Sequence, residues 1–483
     1  MSITASTAGI KPTDSTRLSA SLGFVHEQIE KGTEVYTLDN GGQSLVARLW
    51  LFEHANKTID IQYYSLTKDA SGRLACHYLV QAADRGVKIR ILLDDAASRT
   101  KNRDLKVLDS HDNIEIRFYN AGLKAGRMDK KLSKLEKNIL RLLRRMHNKT
   151  FVADGEVCLA GGRNIADEYF DYDHKYNFRD RDAMLIGKAV SEAQQAFDTF
   201  WNNPLTATYS ELSGKKNKKK LTDPARFNCM HNFPSKMQDL RTQVVKKVEH
   251  FPEEFKALRE SGEIIFTNDV TFISDKPGKN EDRGREGGIC TDSMISLIRQ
   301  AKKTIDIQSP YFIVTREAKQ LIEETLNRGV KIRLLTNSLA SIDIVGAFSA
   351  FQKNRKKLIK MGVQIYEFKP DSRERYHLMA NEVQKPINYK STYGFHAKSL
   401  IIDGHITVIG SYNFDPRSAN YNTECMCVIR SEKVASRLSK QFDEEFLPDN
   451  SWPDTDRCNP DYKASVKKRI QAFIRLLVPK KLL

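Results

Sequence analysis

The sequence predicts an α/β protein made of two copies of one domain related by a pseudo-twofold axis, each a mixed sheet flanked by helices on both faces. Three observations carry this. Segments of the first half recur in the second at a nearly constant offset. Within each half, helical and strand patterns alternate. One polar motif stands at matching positions in both halves.

The repeat spans "TIDIQYYS" (58–65) and "TIDIQSPYF" (304–312), "RGVKIRILLDD" (85–95) and "RGVKIRLLTNS" (328–338), and "NIEIRFYNA" (113–121) and "GVQIYEFKP" (362–370). The offsets are 246, 243 and 249 residues. A period that long marks a duplicated domain and not a solenoid. In each copy an amphipathic segment ("QSLVARLWLFEHAN", "DSMISLIRQAKK") precedes the "TIDIQ" strand. A second helix follows and ends at a glycine suited to a left-handed C-cap, Gly86 or Gly329. The next strand is apolar nearly throughout, as in a sheet covered on both sides. The expected division is a flexible N-terminal segment (1–32), a first domain (33–204), a basic polar insert (205–254), a second domain (255–450) and a basic amphipathic tail (451–483). The insert contains "GKKNKKK" (214–220) and reads as a solvated loop or as an electrostatic foot on an anionic surface.

Composition narrows the partners. A formal net charge of +17 over 483 residues favours polyanions, either nucleic acid or an acidic membrane. Seven cysteines are too few and too irregular for a disulfide framework, and the Cys425, Cys427 pair reads as buried reduced thiols. No apolar run approaches the length of a membrane span, and the N-terminus does not read as a signal peptide.

The chemistry lies in "RMHNKTFVADGEVCLAGGRN" (145–164) and "GFHAKSLIIDGHITVIGSYN" (394–413). His147, Lys149 and Asp154 recur as His396, Lys398 and Asp403 at identical spacing. Asn164 and Asn413 each lie seventeen residues after their histidine. Residues i and i+2 of a strand share a face, so each His and Lys project together. Asp154-Gly155 and Asp403-Gly404 are hairpin-turn pairs, which makes both aspartates mainly architectural. The small residues that follow, Ser411 among them, allow close approach of backbone and asparagine to an anion. If the halves pack face to face, one pocket gathers two His, two Lys and two Asn. That set suits in-line displacement at phosphorus: one imidazole attacks and the other moves the proton. The lysines supply the positive charge, so neither metal nor cofactor is expected. A carboxylate should set each tautomer: Glu424 in the second copy, and in the first Asp180, with Asp182 behind it.

The tail "KASVKKRIQAFIRLLVPKKLL" (463–483) sets Val466, Ile470, Phe473, Ile474 and Leu477 at helical spacing among Lys467, Lys468, Arg469 and Arg475, as in an interfacial helix. The segment 130–146 has a similar pattern and reads as a membrane contact, a lid or a buried helix.

The duplicated H-x-K-x4-D motif resembles that of the phospholipase D superfamily. "GGRNIADEYF" and "GSYNFDPRSANYNTE" are similar to the bacterial cardiolipin synthases, most of all to the short C-type branch without N-terminal membrane helices. The resemblance implies two phospholipase D-type domains and a phosphatidyl group carried on a phosphohistidine. It implies cardiolipin made from phosphatidylglycerol and a second phospholipid, phosphatidylethanolamine or phosphatidylglycerol. His147 would be the nucleophile and His396 the acid/base, and all six motif residues would count as catalytic. It also implies a protein peripheral on the cytoplasmic face of the inner membrane, with no nucleic-acid partner and with a helper protein left open. Arg163 in "GGRN" faces either the pocket or the surface. The competing readings are a phosphodiesterase acting on lipid or nucleic acid and a non-catalytic binder of anionic lipid.

Overall fold

The computed structural model describes residues 18–23, 30–96, 103–120, 143–213, 224–231, 238–279, 287–378, 391–455 and 459–475. Two large sheets form its centre. The first runs, in spatial order, Ile265–Thr267, Thr33–Leu38, Asp182–Gly187, Val157–Gly161, Thr150–Ala153, Thr58–Tyr63, Lys88–Asp94, Ile114–Tyr119 and Thr206–Thr208. The second runs Val270–Ser274, Cys425–Arg430, Ile406–Gly410, Ser399–Ile402, Thr304–Gln308, Lys331–Asn337, Gln364–Phe368 and Ser451–Asp454. From Thr33–Leu38 onward the two orders correspond strand for strand, with a parallel centre and antiparallel flanks.

The alternation in "TIDIQ" explains how each sheet is covered. Ile59 and Ile61, like Ile305 and Ile307, face the outer helices Gly41–His54 and Ala70–Asp84, or Ile289–Gln300 and Arg316–Asn327. Asp60 and Asp306 point inward, where each takes a two-pronged contact from an arginine of the next strand: Arg90 at 2.7 and 2.7 Å, Arg333 at 2.6 and 2.7 Å. Each arginine also pairs with an aspartate of one inner helix, Asp198 on Val190–Trp201 or Asp443 on Glu432–Phe446. The repeat therefore holds down to individual ion pairs.

Helices do cover both faces, but the middle of each inner face lies against the other sheet. Val152, Cys158 and Leu185 of the first domain share one buried cluster with Ile401, Cys425 and Cys427 of the second. Those cysteines are buried and free. Joining the halves in one core buries apolar area that neither sheet could cover alone.

Four expectations about the outer segments change. The region 205–254 is not a plain solvated loop. It contributes the edge strand Thr206–Thr208 and the helices Pro224–His231 and Gln238–Glu249, and Val244 and Val248 are buried in the first core. Ile265–Thr267 pairs with Thr33–Leu38, so the chain leaves the first sheet later than residue 255. Leu18 and Leu22 pack on the first core, and Ser451–Asp454 is an edge strand of the second sheet, not part of a free tail. "GKKNKKK", residues 130–142 and Leu477 lie outside the described residues.

The motif aspartates lie at the hairpin turns with left-handed φ, 53° at Asp154 and 54° at Asp403. Asp154 accepts the backbone N–H groups of Asn56, Lys57 and Thr58 at 2.8–2.9 Å. Asp403 accepts those of Lys302, Lys303 and Thr304 at 2.7–2.9 Å. Each carboxylate pins the entry of its "TIDIQ" strand to the motif hairpin. Asp154→Ala is expected to destabilise the protein by about 2–4 kcal/mol, through loss of charge-assisted bonds and a left-handed φ that alanine disfavours. The check is the midpoint of urea unfolding; an unchanged midpoint would contradict the capping role.

Candidate active site

Each motif histidine is set by backbone pairing with the opposite domain. Thr392–Phe395 runs parallel to Tyr176–Arg179, and the N–H groups of His396 and Ala397 both donate to the Arg179 carbonyl, at 2.8 and 3.0 Å. In the reciprocal contact, Met146 bridges Thr423 in parallel. The His147 N–H donates to the Thr423 carbonyl at 2.9 Å, and the Thr423 N–H to the Arg145 carbonyl at 2.9 Å. The residue before each histidine is held by its own domain: the Met146 N–H donates to Asp94 at 2.9 Å, and the Phe395 N–H to the Asn337 carboxamide oxygen at 2.7 Å.

These pairings bring the next residue on each partner strand to an imidazole. His147 Nδ1 lies 2.8 Å from Glu424 Oε2, and His396 Nδ1 lies 2.5 Å from Asp180 Oδ2. Both expected carboxylates are in place, but exchanged: each domain's acid serves the other domain's histidine. Asp180 and Glu424 are equivalent in the fold, each two residues before the strand residue opposite Gly161 or Gly410. Asp182 serves elsewhere. It takes the Ser44 hydroxyl and the Arg48 guanidinium in the first core.

The small residues are explained by these acids. A Cβ on Gly162 would fall 2.1 Å from Asp180 Oδ1, so nothing larger than glycine fits there without moving the acid. The equivalent Ser411 donates its hydroxyl to Glu424 at 2.5 Å, and Ser418 donates to the other carboxylate oxygen at 2.6 Å. Ser418 was not foreseen. Only the chain folding back through Pro416–Asn420 brings it to Glu424. Arg163 faces neither the pocket nor the surface. It is 1% exposed and donates to the carbonyls of Leu38, Asp39, Tyr169 and Asp180.

Electrostatics follow from burial. Burial pushes His147 down to about 4, against the pull of Glu424. Burial and then Lys398 push His396 below its usual value, with Asp180 opposing. Burial alone would raise both acids. His147 and Lys149 hold Glu424 down to about 2, and Lys398 and His396 hold Asp180 down to about 2. Both acids are therefore ionised and take the Nδ1–H, which leaves each Nε2 unprotonated. Lys149 Nζ donates to the His147 carbonyl at 2.6 Å, and Lys398 Nζ to the His396 carbonyl at 2.5 Å. Lys398 Nζ also lies 2.8 and 3.1 Å from the two nitrogens of His396. Burial lowers Lys149 to about 7 and Lys398 to about 8, with a further push on Lys149 from Lys398.

The asparagines differ. Asn164 is engaged, accepting the Ser65 N–H at 3.2 Å and donating to the Tyr169 hydroxyl at 3.1 Å. Asn413 is 5% exposed and its carboxamide oxygen has no partner. Aromatic rings wall the histidines: Tyr64 beside His147, and Tyr169 and Phe178 beside His396. Asp154 and Asp403 stand apart, five strand residues beyond the lysines, about 17 Å of chain. They cap loops and do not share the pocket. Among the described residues no cluster of His, Cys, Asp and Glu could hold a metal ion.

Two copies of a family model described as "Cardiolipin synthase, PLD-like domain" match residues 49–201 and 294–446. The chain belongs to this family of phospholipase D-like proteins. Cardiolipin synthase C of Escherichia coli (strain K12) is 34% identical over 412 residues, covering 84% of each chain. Cardiolipin synthase 1 of Bacillus cereus is 26% identical, over 92% of this chain and 72% of its own length. The crystal structure of phosphatidylserine synthase from Haemophilus influenzae Rd KW20 shares the fold, with a TM-score of 0.58 at 14% identity over 94% of this chain and 96% of that one.

The two lysines are expected to titrate near neutrality in the free protein. Charge is then lost as pH rises through 7 to 8, and bound inorganic phosphate, which favours the ammonium form, moves both transitions upward. NMR of ¹³Cε-labelled lysine, with Lys149→Arg and Lys398→Arg for assignment, would show this; titration of both near 10.5 would contradict it.

Proposed function

We propose that the protein is a phosphatidyltransferase that makes cardiolipin from phosphatidylglycerol and a second phospholipid, phosphatidylethanolamine or phosphatidylglycerol, through a phosphohistidine. The observation that carries this reading is the pair of imidazoles, each with Nδ1 on an ionised carboxylate from the opposite domain and each beside a buried lysine.

His147 Nε2 attacks the donor phosphorus and the P–O bond to the headgroup breaks. The leaving oxygen takes a proton from His396 Nε2. The incoming phosphodiester anion raises the proton affinity of His396 and so prepares it as an acid. The acceptor's glycerol hydroxyl then returns a proton to His396, its oxygen attacks phosphorus, and the P–N bond to His147 breaks. Lys149 and Lys398 hold the equatorial oxygens throughout, in a site dry enough for their charge to count. Asn413, with its unpartnered carboxamide oxygen, is available to a substrate hydroxyl. His147 takes the nucleophile's part because its side chain is the more accessible, 15% exposed against 7%.

The helix Val466–Arg475 supports a peripheral position on an anionic membrane. Val466, Ile470, Phe473 and Ile474 are 55–71% exposed, and Lys467 and Arg469 are exposed among them. Only Ala472 is buried, against Val345–Met361, where the Ser349 hydroxyl donates to its carbonyl. Lys468 does not belong to this surface. Its Nζ donates to the carbonyls of Ala340 and Ile342 at 2.8 Å and clamps the helix to the second domain. No described helix is long and apolar enough to cross a membrane.

Incubation with phosphatidylglycerol carrying ³²P in its phosphate, followed by acid-free quenching, is expected to trap label on His147 in the wild type, less in His396→Ala, which lacks the acid, and none in His147→Ala, with cardiolipin formation down at least about 10³-fold in both variants. Phosphatidic acid as the sole wild-type product would overturn the transferase reading. In a separate test, Ile470→Asp/Phe473→Asp is expected to cut flotation with phosphatidylglycerol vesicles about tenfold or more, since two apolar anchors are lost. Undiminished flotation would remove the helix from the membrane contact.

A further inference from the structure

The two halves differ on their outer faces. In the first, Phe52 and Leu45 of Gly41–His54 and Leu74 and Tyr78 of Ala70–Asp84 are all buried in one core with the central strands. The repeat places Ile298, Thr291, Glu317 and Leu321 at the corresponding positions of the second half. There, smaller or polar side chains leave a cavity of about 200 Å³ between Ile289–Gln300 and Arg316–Asn327, floored by Ile305, Ile307 and Ile332. For scale, an apolar protein cavity of about 150 Å³ admits benzene. An apolar void of that size weakens a core by the lost dispersion contacts of its lining, and the larger apolar side chains at the equivalent positions of the first half are all buried.

Two features say what fits. The interior is hydrocarbon, so the part of the ligand that enters is an alkyl chain. The rim carries Asp292 and Glu317, one from each helix, both exposed and neither in an ion pair among the described residues. On a chain of net charge +17 this rim is locally acidic, which repels an anionic headgroup and attracts an ammonium. One wall is Tyr412 and Phe414, in the same loop as Ser411 and Ser418, whose hydroxyls hold Glu424. The cavity thus backs onto the loop that positions the acid of His147.

We propose that this cavity binds one acyl chain of an ammonium-bearing zwitterionic phospholipid, with the ammonium between Asp292 and Glu317. The inference rests on the transferase reading for its choice of a phospholipid, and it assigns the second domain a lipid site on its outer face. It also predicts a preference for the zwitterionic over the anionic lipid at this place, the opposite of the preference expected at the basic helix.

The test is photolabelling of the full-length protein on mixed vesicles. Phosphatidylethanolamine and phosphatidylglycerol probes carrying a diazirine near the acyl terminus are compared, and adducts are mapped by peptide mass spectrometry. The expected result is labelling of Ile289–Gln300 and Arg316–Asn327 by the ethanolamine probe at least fivefold above the glycerol probe. Ala318→Phe, which fills the cavity, should abolish it, and Glu317→Lys, at an exposed position where folding is not at risk, should reverse the preference. Labelling confined to the helix Val466–Arg475, or equal labelling by both probes that Glu317→Lys leaves unchanged, would overturn the proposal. No turnover is needed: His396→Ala protein should label as the wild type does. A missing adduct therefore leaves the transferase reading intact, and a failed transfer assay leaves this site intact.

Discussion

The catalytic arrangement depends on an exchange. Each histidine takes its carboxylate from the other domain, and each is brought there by a short parallel backbone pairing across the interface. A side-chain contact alone would leave two imidazoles free to swing. With the backbone N–H of His147 fixed to Thr423 and that of His396 to Arg179, the imidazole and its acid become neighbours by register, as residues on adjacent strands do. Neither domain alone completes either His–carboxylate pair. The candidate site is therefore a property of the docked pair, and the proposed mechanism requires docking accurate to fractions of an ångström for the Nε2 atoms to meet one phosphorus in line.

That accuracy has a physical source in the buried ions beside the pocket. Arg179 reaches Asp39 and, across the interface, Glu445. Arg181 reaches Asp39, Gln308 and Ser399. Both guanidiniums are fully buried and flank Asp180 in the chain. Buried ion pairs contribute little net stability compared with an apolar core, because desolvation offsets most of the attraction. They do penalise misalignment, since a shifted interface would leave a charge in low dielectric without its partner. The apolar cluster shared by the two sheets supplies the free energy of docking, and the arginines restrict it to one geometry.

Much of this was legible in the letters. The 243–249 residue repeat gave the duplicated α/β fold, because the period-2 pattern of "TIDIQ" and the helix spacing around it are local properties. The motif spacing gave the histidines, lysines and turn aspartates for the same reason. What was not legible depends on packing between distant segments. Glu424 lies 28 residues from His396 and 277 from His147, and chain distance favours the wrong partner. Arg163 sits where an anion-binding residue would, and only the fold shows four carbonyls converging on it. Lys468 has the same helical phase as a membrane-facing charge, yet the carbonyls of Ala340 and Ile342 claim it. The helices within 205–254 were hidden by polarity: Gln238–Glu249 buries Val244 and Val248 beneath a strongly charged surface.

A duplicated fold starts with two equal histidines, and the differences between the halves decide how they share the work. Glu424 is fixed by three donors, His147, Ser411 and Ser418, so it is held in one orientation beside His147. Asp180 faces Gly162, where there is no hydroxyl to hold it, and its second partner is the neighbouring Arg181 N–H. A nucleophile must keep one orientation from attack to release. An acid/base must give up and regain a proton, and the acid beside His396 has no hydroxyl donor among the described residues. Burial and Lys398, close to both nitrogens of His396, keep that imidazole's proton affinity low. On the proposed mechanism, the two extra hydroxyl donors on Glu424 suit His147 to covalent bond formation and leave proton transfer to His396.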